Sequence, residues 1–474
     1  MPLLTISRSD LPVIVSLEVH AGPEQQQIMV EIITTAFAGH LLSAPKEGDL
    51  SLPNPESLKK KICIKVKYLD PDKAAEKEKA TETNNSLNVP SLTKKVSSTS
   101  IKSNSSKKSW LSKRKSTASL SSSSSDDEDA PNSEKPKKKS SIIPELSALG
   151  VYTRSYHFSD LAHPDALVPT HIFSLSEKKL MEVHESHGPT LFSHNRNYLM
   201  RAFPSGLRVR SDNLDPSIFW RKGVQIVALN WQKWDKGMML NAGMFDGSAG
   251  WVLKPQGYLG SNIDTGATTG PKASDIKEIG TESQADAAIQ RKTLTFTLTV
   301  LAAQNLPLPP SMKSVSSFRP YLKTELHVEK PSERTGAPIP NDGKANTNHN
   351  EELKPTSSSP PSREKERAKE KEKDDEEAKF KHSIKPDVKG VRDIDFHATK
   401  LEWRDVPGVV EELSFLRVKV MNDEMGKDPL CAWACVRLDR VREGWRFLRL
   451  WTAEGERSNG VVLWGVEKSV KSEG

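Results

Sequence analysis

The stretch Pro12-Val-Ile-Val-Ser-Leu-Glu18 decides the fold of this chain, because here a short apolar run ends in a carboxylate. Next comes Gly22-Pro-Glu-Gln-Gln26, which is typical of the start of a helix. A buried strand that ends in an acid and turns into a helix is typical of a parallel (β/α) barrel. Since this unit lies so close to Met1, we expect the first part of the barrel to be absent from the chain.

Two patterns extend this unit toward residue 70. Between Gly22 and Leu41 the apolar residues fall on one helical face; they are Ile28, Met29, Ile32, Ile33, Ala36 and Phe37. A second strand is predicted over 61–69, where Lys65 and Lys67 share a face. Two lysines on one face of a barrel strand suit an anionic ligand, and the alternative is a solvated strand face.

Composition divides the 474 residues into folded blocks and linkers. Only 35% of the residues are hydrophobic, so much of the chain cannot form a core. Most of the net charge of +7 lies in the Ser- and Lys-rich stretch 71–140, which we interpret as a disordered linker. Its basic cluster 107–115 either assists attachment to anionic membrane or serves as a solvated spacer or an import-like signal. A second low-complexity region covers about 330–379, and we expect no nucleic-acid partner.

The cysteines and the hydropathy pattern indicate a cytoplasmic protein. Cys63, Cys431 and Cys435 are too few for a disulfide framework, so we predict reduced, buried thiols. No apolar run reaches the roughly 18 residues that a membrane-spanning helix needs. The expected location is therefore the cytoplasm, with peripheral attachment to membranes.

The block after the linker repeats the order of strand, polar residue and helix. His171-Ile-Phe173 leads into Ser174-Leu-Ser-Glu177, which also matches the Ser-x-x-Glu capping box, so helix capping is the alternative role for Ser174. Further strands are predicted around 198–203 and 224–230. Arg201, which lies in the first of these, could equally be a surface or ion-paired arginine.

These motifs together resemble eukaryotic phosphoinositide-specific phospholipase C of the delta-like, fungal type. The resemblance is carried by Glu18 with Gln25-Gln26, Lys65 and Lys67, Ser174-Leu-Ser-Glu177, Arg201-Ala-Phe-Pro-Ser-Gly206, Ser211-Asp-Asn213, Trp220, Gln225–Asn230, Asn241–Phe245 and Gly250-Trp-Val-Leu-Lys-Pro255. It covers the end of the X region, the Y region and the C2 domain. The N-terminal part of the X region is not matched.

The resemblance implies a fold and a set of boundaries. The fold class is α/β plus all-β, an incomplete TIM-type barrel interrupted by a disordered linker and followed by a C2-type antiparallel β-sandwich. The expected segments are 8–70 (end of X), 71–142 (linker), 143–260 (Y), 261–289 (linker) and 290–467 (C2), the last with a disordered insertion at about 330–389.

The resemblance also assigns residues to a site. Glu18 corresponds to the last calcium-binding carboxylate, which makes Ca²⁺ the implied cofactor. Lys65 and Lys67 correspond to the lysines that hold the ring phosphates, and Ser174 and Arg201 to further headgroup contacts. Phe203 lies where the family commonly has a tyrosine that stacks on the inositol ring.

The implied activity is hydrolysis of phosphatidylinositol 4,5-bisphosphate to inositol trisphosphate and diacylglycerol in signalling at membranes. The family's catalytic histidines belong to the early X strands, and nothing before Glu18 supplies them. We therefore expect an enzyme of this class whose chain, as written, is inactive. The alternative is a non-catalytic module that binds phosphoinositides or membranes.

The third block resembles a C2 domain. Period-two strands are predicted from Leu294, at 413–421, at 430–438 and at 461–466. Calcium-binding C2 domains gather aspartates at loop tips, whereas here Arg319 occupies an expected aspartate position and only Asp423 and Asp428 remain. We predict weak or no calcium binding by this domain.

Overall fold

The computed structural model describes residues 9–42, 52–70, 142–208, 210–260, 289–334 and 379–473. The predicted linker regions and the basic cluster 107–115 lie mainly outside these ranges. Within them, no helix is long and apolar enough to span a bilayer.

The first sheet is parallel and six-stranded, in the order β1-β2-β3-β4-β5-β6. Its strands are β1 (Val13–Ser16), β2 (Ile62–Lys67), β3 (Arg154–Tyr156), β4 (His171–Ser176), β5 (Leu199–Phe203) and β6 (Ile226–Val227). The helices are α1 (Pro23–Ala36), α2 (Pro144–Ala148), α3 (Glu177–Asn197), α4 (Pro216–Arg221) and α5 (Lys236–Phe245). Sequential parallel strands with intervening helices form the predicted incomplete barrel.

One face of this sheet is covered by helices. Apolar side chains from alternate strand positions pack there in two clusters; they include Ile62, Ile64 and Val66 with Leu146, and Phe173, Leu175, Met200 and Ala202 with Leu180. Between the edges of β1 and β6 lies a cavity of about 590 Å³. The Trp251 indole reaches across and donates to the carbonyl of Pro12 at 2.8 Å.

The second sheet is antiparallel and eight-stranded, in the order β10-β7-β14-β13-β12-β11-β8-β9. The strands are β7 (Lys292–Gln304), β8 (Pro320–His327), β9 (Lys381–Ile384), β10 (Ile394–Val409), β11 (Phe415–Asn422), β12 (Leu430–Arg437), β13 (Gly444–Thr452) and β14 (Arg457–Ser472). Short helix α6 (Pro331–Arg334) follows β8. The sheet is the predicted C2-type sandwich, and β9 is a correction because it lies inside the range predicted as a disordered insertion.

The two units share an apolar interface. Residues of α4, α5 and their neighbours pack with the sandwich in one cluster; they include Trp220, Met239, Leu240 and Met244 with Leu413, Phe415, Trp433 and Cys435. Helix α5 approaches β12 through Gly243, where an added Cβ would lie 2.9 Å from the Cys435 sulfur. The three cysteines are free and buried, as predicted.

Candidate functional site

The strand register brings the predicted headgroup residues onto one face of the parallel sheet. The cross-strand pairs are Ser16 with Lys65, Lys67 with Ser155, Ser155 with Ile172, and Ser174 with Arg201. Paired residues, and residues two apart along a strand, point to the same face. This face, opposite the helix-covered one, carries Lys65, Lys67, Ser155, Ser174, Arg201 and Phe203; we call it the cationic face.

Lys65 is buried in the middle of this face. Its side chain is 6% exposed, and its ammonium donates to the hydroxyl of Ser155 at 3.2 Å. Burial and the nearby charge of Arg201 lower the pKa of Lys65 while Glu18 acts in the opposite direction, and together they bring this pKa to about 8. Lys65 therefore has unused hydrogen-bonding capacity in an environment that favours an anion.

Ser174 lies within β4 and does not cap the following helix. The N-cap of α3 is Ser176, whose hydroxyl accepts from the amide of Lys179 at 3.3 Å, so the capping role suggested for Ser174 was wrong. The helix cap lies two residues later than predicted, because β4 continues to Ser176 before α3 begins. The Ser174 hydroxyl oxygen is buried and has no hydrogen-bond partner within the described ranges.

Arg201 lies beside Ser174 on the next strand. Its guanidinium carbon is 5.2 Å from the centroid of the Phe203 ring, a cation–π contact that orients both side chains. Burial lowers the pKa of Arg201, and the negative charge of Glu18 partly offsets this effect. The arginine stays charged at neutral pH, with its fork of donors available to a ligand.

Glu18 lies two residues beyond the end of β1 and is exposed. Its carboxylate influences the pKa values of both Lys65 and Arg201, so it belongs to the same site. Calcium requires six to eight oxygen ligands. Among the described residues, no three His, Cys, Asp or Glu side chains converge to hold a metal ion. The residues present therefore do not form a complete calcium site.

Two members of the face differ in accessibility from Lys65. Lys67, at the end of β2, is exposed and extends the positive charge toward the carboxyl edge of the sheet. Ser155 is half-buried and was missed by sequence reasoning, because the three-residue strand β3 is too short to show a pattern. Its pairing with Lys67 and its hydrogen bond from Lys65 place it in the site.

Two apolar side chains project from the same edge of the sheet. Leu207, in the loop after β5, is 83% exposed, and Trp231, in the loop after β6, is 69% exposed. In parallel sheets the loops after strands meet at the carboxyl edge. The cationic face is therefore bordered by two exposed apolar groups.

The sandwich loops hold the acids that the sequence singled out. The Asp423 carboxylate accepts from the ammonium of Lys385 at 2.9 Å, and the Asp428 carboxylate accepts from the hydroxyl of Tyr321 at 2.5 Å. The backbone amide of Arg319 donates to the side chain of Asn422 at 2.7 Å. Weak or absent calcium binding here stays a prediction, and internal partners for both acids support it.

Comparison with known families matches both parts of the parallel unit. The X domain of phosphatidylinositol-specific phospholipase C matches residues 5–68, and its Y domain matches residues 146–257. These ranges contain β1 to β6 and the whole cationic face.

The three curated relatives described next are all named for the same activity. The 1-phosphatidylinositol 4,5-bisphosphate phosphodiesterase 1 of Candida albicans is 30% identical over 74% of this chain and 30% of its own length. The Saccharomyces cerevisiae protein of the same name is 27% identical over 96% of this chain and 47% of its own length. The delta-3-A phosphodiesterase of Danio rerio is 31% identical over 67% of this chain and 35% of its own length. The chain thus spans less than half the length of these relatives.

A solved structure agrees at the level of fold. The crystal structure of L. pealei PLC21 superposes with a TM-score of 0.58 and 20% identity, covering 98% of this chain and 46% of that one. The two domain matches and the delta-type and fungal relatives place the chain in the phosphatidylinositol-specific phospholipase C family, with part of the X domain, the Y domain and a C2-type sandwich that agrees with this likeness of fold.

Proposed function

We propose that this chain contributes headgroup binding to the hydrolysis of phosphatidylinositol 4,5-bisphosphate to inositol trisphosphate and diacylglycerol, and that its cationic face binds the phosphorylated headgroup. The observation that carries this proposal is the convergence of Lys65, Ser155, Ser174 and Arg201 from four strands. Each has a donor that neighbouring side chains leave free or only partly used. Phosphate oxygens accept from such donors, most strongly where the donor is charged.

The side chains of the cationic face suit different parts of the headgroup. Lys65 and Lys67 act as point charges for ring phosphates, and Arg201 offers two parallel N–H donors to phosphate oxygens. The hydroxyls of Ser155 and Ser174 complete the donor set. Phe203 presents a ring that can stack on the apolar face of the inositol ring, while its contact with Arg201 holds it in place.

Glu18 is the residue that we assign to calcium. When bound, the ion would act as a Lewis acid toward the reacting oxygen. The described residues supply one carboxylate at this position. Within the chain itself, the negative charge of Glu18 acts to raise the pKa values of Lys65 and Arg201 and so partly offsets the effect of their burial.

A lipid headgroup requires that the site face a membrane. Leu207 and Trp231 stand exposed at the edge of the cationic face, where an apolar group can enter the interfacial layer while the cations reach the headgroups. We place the protein in the cytoplasm, attached peripherally to the anionic leaflet.

Isothermal titration of the full chain with inositol 1,4,5-trisphosphate tests the proposal. We expect Lys65→Met and Arg201→Met each to weaken binding about 10- to 100-fold, because a hydrogen bond to a charged group contributes roughly 1.5–3 kcal/mol. Lys61→Met is the matched control, since Lys61 precedes the opposite end of the same strand and donates to the carbonyl of Gly39. Equal loss in all three variants would refute the assignment.

The alternative function, a non-catalytic phosphoinositide-binding module, makes the same binding prediction. Release of inositol trisphosphate from labelled vesicles tests the activity of the chain itself. Turnover that is lost in Arg201→Met would assign catalysis to this chain, whereas binding without turnover is expected both of the module and of a chain without the catalytic histidines.

A further inference from the structure

The two loops that carry the exposed apolar residues are built into a single unit. We call residues 204–208 with 210–215, and residues 228–235, the rim loops; the first follows β5 and the second follows β6. An exposed leucine and an exposed tryptophan would each gain free energy by turning inward, at about 25 cal/mol per Å² of apolar surface buried. Contacts within the loops are therefore needed to keep these two side chains exposed.

Asn213 connects the rim loops through its whole side chain. Its Oδ1 accepts from the amide of Asn230 at 2.5 Å, and its Nδ2 lies 3.1 Å from the carbonyl of Asn230 and 3.2 Å from that of Lys233. Its own amide donates to Asp235 Oδ2 at 2.7 Å. An asparagine amide offers one acceptor and two donor hydrogens, and here both kinds of group are engaged across the gap between the loops.

A second anchor ties the first rim loop to the strand that carries Ser174. Glu177, which begins α3 directly after β4, accepts from Arg208 Nε at 2.5 Å and Nη2 at 2.6 Å, and from the amide of Ser205 at 2.8 Å. Arg208 Nη1 then donates to the carbonyl of Asn213 at 3.3 Å. The pair is largely shielded from solvent, which strengthens a bidentate contact.

Close packing leaves the loops little room to shift. At Gly237, in the first turn of α5, an added Cβ would lie 2.3 Å from the carbonyl oxygen of Leu214 and 2.8 Å from the Cβ of Asn213. The start of α5 therefore lies directly against the end of the first rim loop. The hydrogen bonds of Asn213 thus act on two segments already in backbone contact.

We propose that Asn213 is a positioning residue which, together with the Glu177–Arg208 pair, holds the rim loops so that Leu207 and Trp231 project side by side toward a lipid surface. This inference rests on the proposed function for its choice of surface. Asn213 touches neither lipid nor headgroup and acts through the two apolar side chains.

The test compares two kinds of binding in the full chain. Sedimentation with phosphatidylcholine–phosphatidylserine vesicles that lack phosphoinositide reports on the rim, and titration with inositol 1,4,5-trisphosphate reports on the cationic face. We expect Asn213→Ala to lower vesicle partitioning about tenfold while trisphosphate affinity changes less than about twofold. Asn213→Asp should do the same, because it places an acceptor against two carbonyls and the Asp235 carboxylate. Asn459→Ala, an exposed asparagine of β14, is the control.

A double-mutant cycle decides whether Asn213 acts through the rim. In a Leu207→Ser/Trp231→Ser background, Asn213→Ala should have no further effect on vesicle partitioning. Additive losses would overturn the proposal, as would unchanged partitioning in Asn213→Ala. If Asn213→Ala lowers the yield of folded chain, Arg208→Lys provides the same test, because lysine keeps the charge and loses the bidentate contact. Absence of trisphosphate binding by the unmutated chain would refute the headgroup proposal and leave the vesicle result interpretable.

Discussion

The parallel sheet and the antiparallel sandwich both bury charged side chains, but they pair them differently. In the sandwich, Glu325 is bonded to Arg417 and Lys419, and Glu329 to Arg291. Burial opposes ionisation of Glu329, yet the hydrogen bond and charge of Arg291 outweigh it, so the pKa of this carboxyl is lowered. In the parallel sheet, Lys65 meets one neutral hydroxyl. Paired buried charge indicates a structural contact, and unpaired buried charge indicates a ligand site.

The contact between the two units gives the largest expected effect. Arg221 of α4 is bonded to Glu333 of α6 at 2.7 Å, and both side chains are buried. Arg221→Met should lower the free energy of unfolding by about 3–5 kcal/mol, because it leaves a carboxylate buried without its partner. Urea denaturation measures this change.

Two further variants sharpen that result. Arg404→Met removes an exposed partner of Glu402 and should leave stability nearly unchanged. Adding Glu333→Leu to Arg221→Met should recover most of the lost stability, since no unpaired charge remains. If Arg221→Met loses no more stability than Arg404→Met, the buried pair contributes no more than an exposed one and the expectation is wrong.

A smaller effect is expected from a buried histidine pair in the parallel unit. The Nε2 atoms of His171 and His194 lie 2.9 Å apart, and burial lowers the pKa of His194 to about 3 and also lowers that of His171. The unfolded chain therefore binds more protons than the folded chain below about pH 6.5, so stability falls as the pH falls. Between pH 7 and pH 5.5 the His194 imidazole should contribute a loss of about 1 kcal/mol, and His171 acts in the same direction.

His194→Gln isolates this contribution, because glutamine keeps a nitrogen near His171 and does not titrate. Urea midpoints at pH 7 and pH 5.5 should then differ less than in the unmutated chain. His397→Asn, at an exposed position, is the control. If the difference persists in His194→Gln, another histidine whose pKa is lowered by burial, His171, His184 or His327, dominates instead.

The smallest expected effect is a gain in stability. Lys65→Met should raise the free energy of unfolding by about 1 kcal/mol at pH 7, because it removes a desolvated charge that has no ionic partner in contact. Lys61→Met should leave stability unchanged. A stability loss in Lys65→Met would show that Lys65 is structural, like the charges of the sandwich.

Strands with polar ends are visible in local sequence, and the family resemblance assigns the residues at those ends to a site. The predicted second strand appears as β2, and the five predicted headgroup residues, Lys65, Lys67, Ser174, Arg201 and Phe203, lie on one face. Their detailed contacts with a ligand stay predictions. Ser155 could not be predicted, since its place in the site depends on pairing with β2 across 90 positions of sequence.

The strand boundaries were harder to predict where tertiary contacts decide them. The apolar stretch 224–230 predicts a long strand, but β6 covers only Ile226–Val227, because Asn230 is held by Asn213. Strand β13 was missed because Trp445, Arg446 and Phe447 are all exposed, so no alternation appears at its start. The pairing of β9 with β8 is likewise not coded in its own four residues.

The contact of α5 with β12 through Gly243 has a mechanical consequence. A Cβ added at Gly243 would lie 2.9 Å from the sulfur and 3.0 Å from the carbonyl oxygen of Cys435, so the backbone of α5 rests directly on β12. A rotation of the sandwich would therefore rotate the parallel sheet by the same angle. Whatever orients one unit therefore also orients the other.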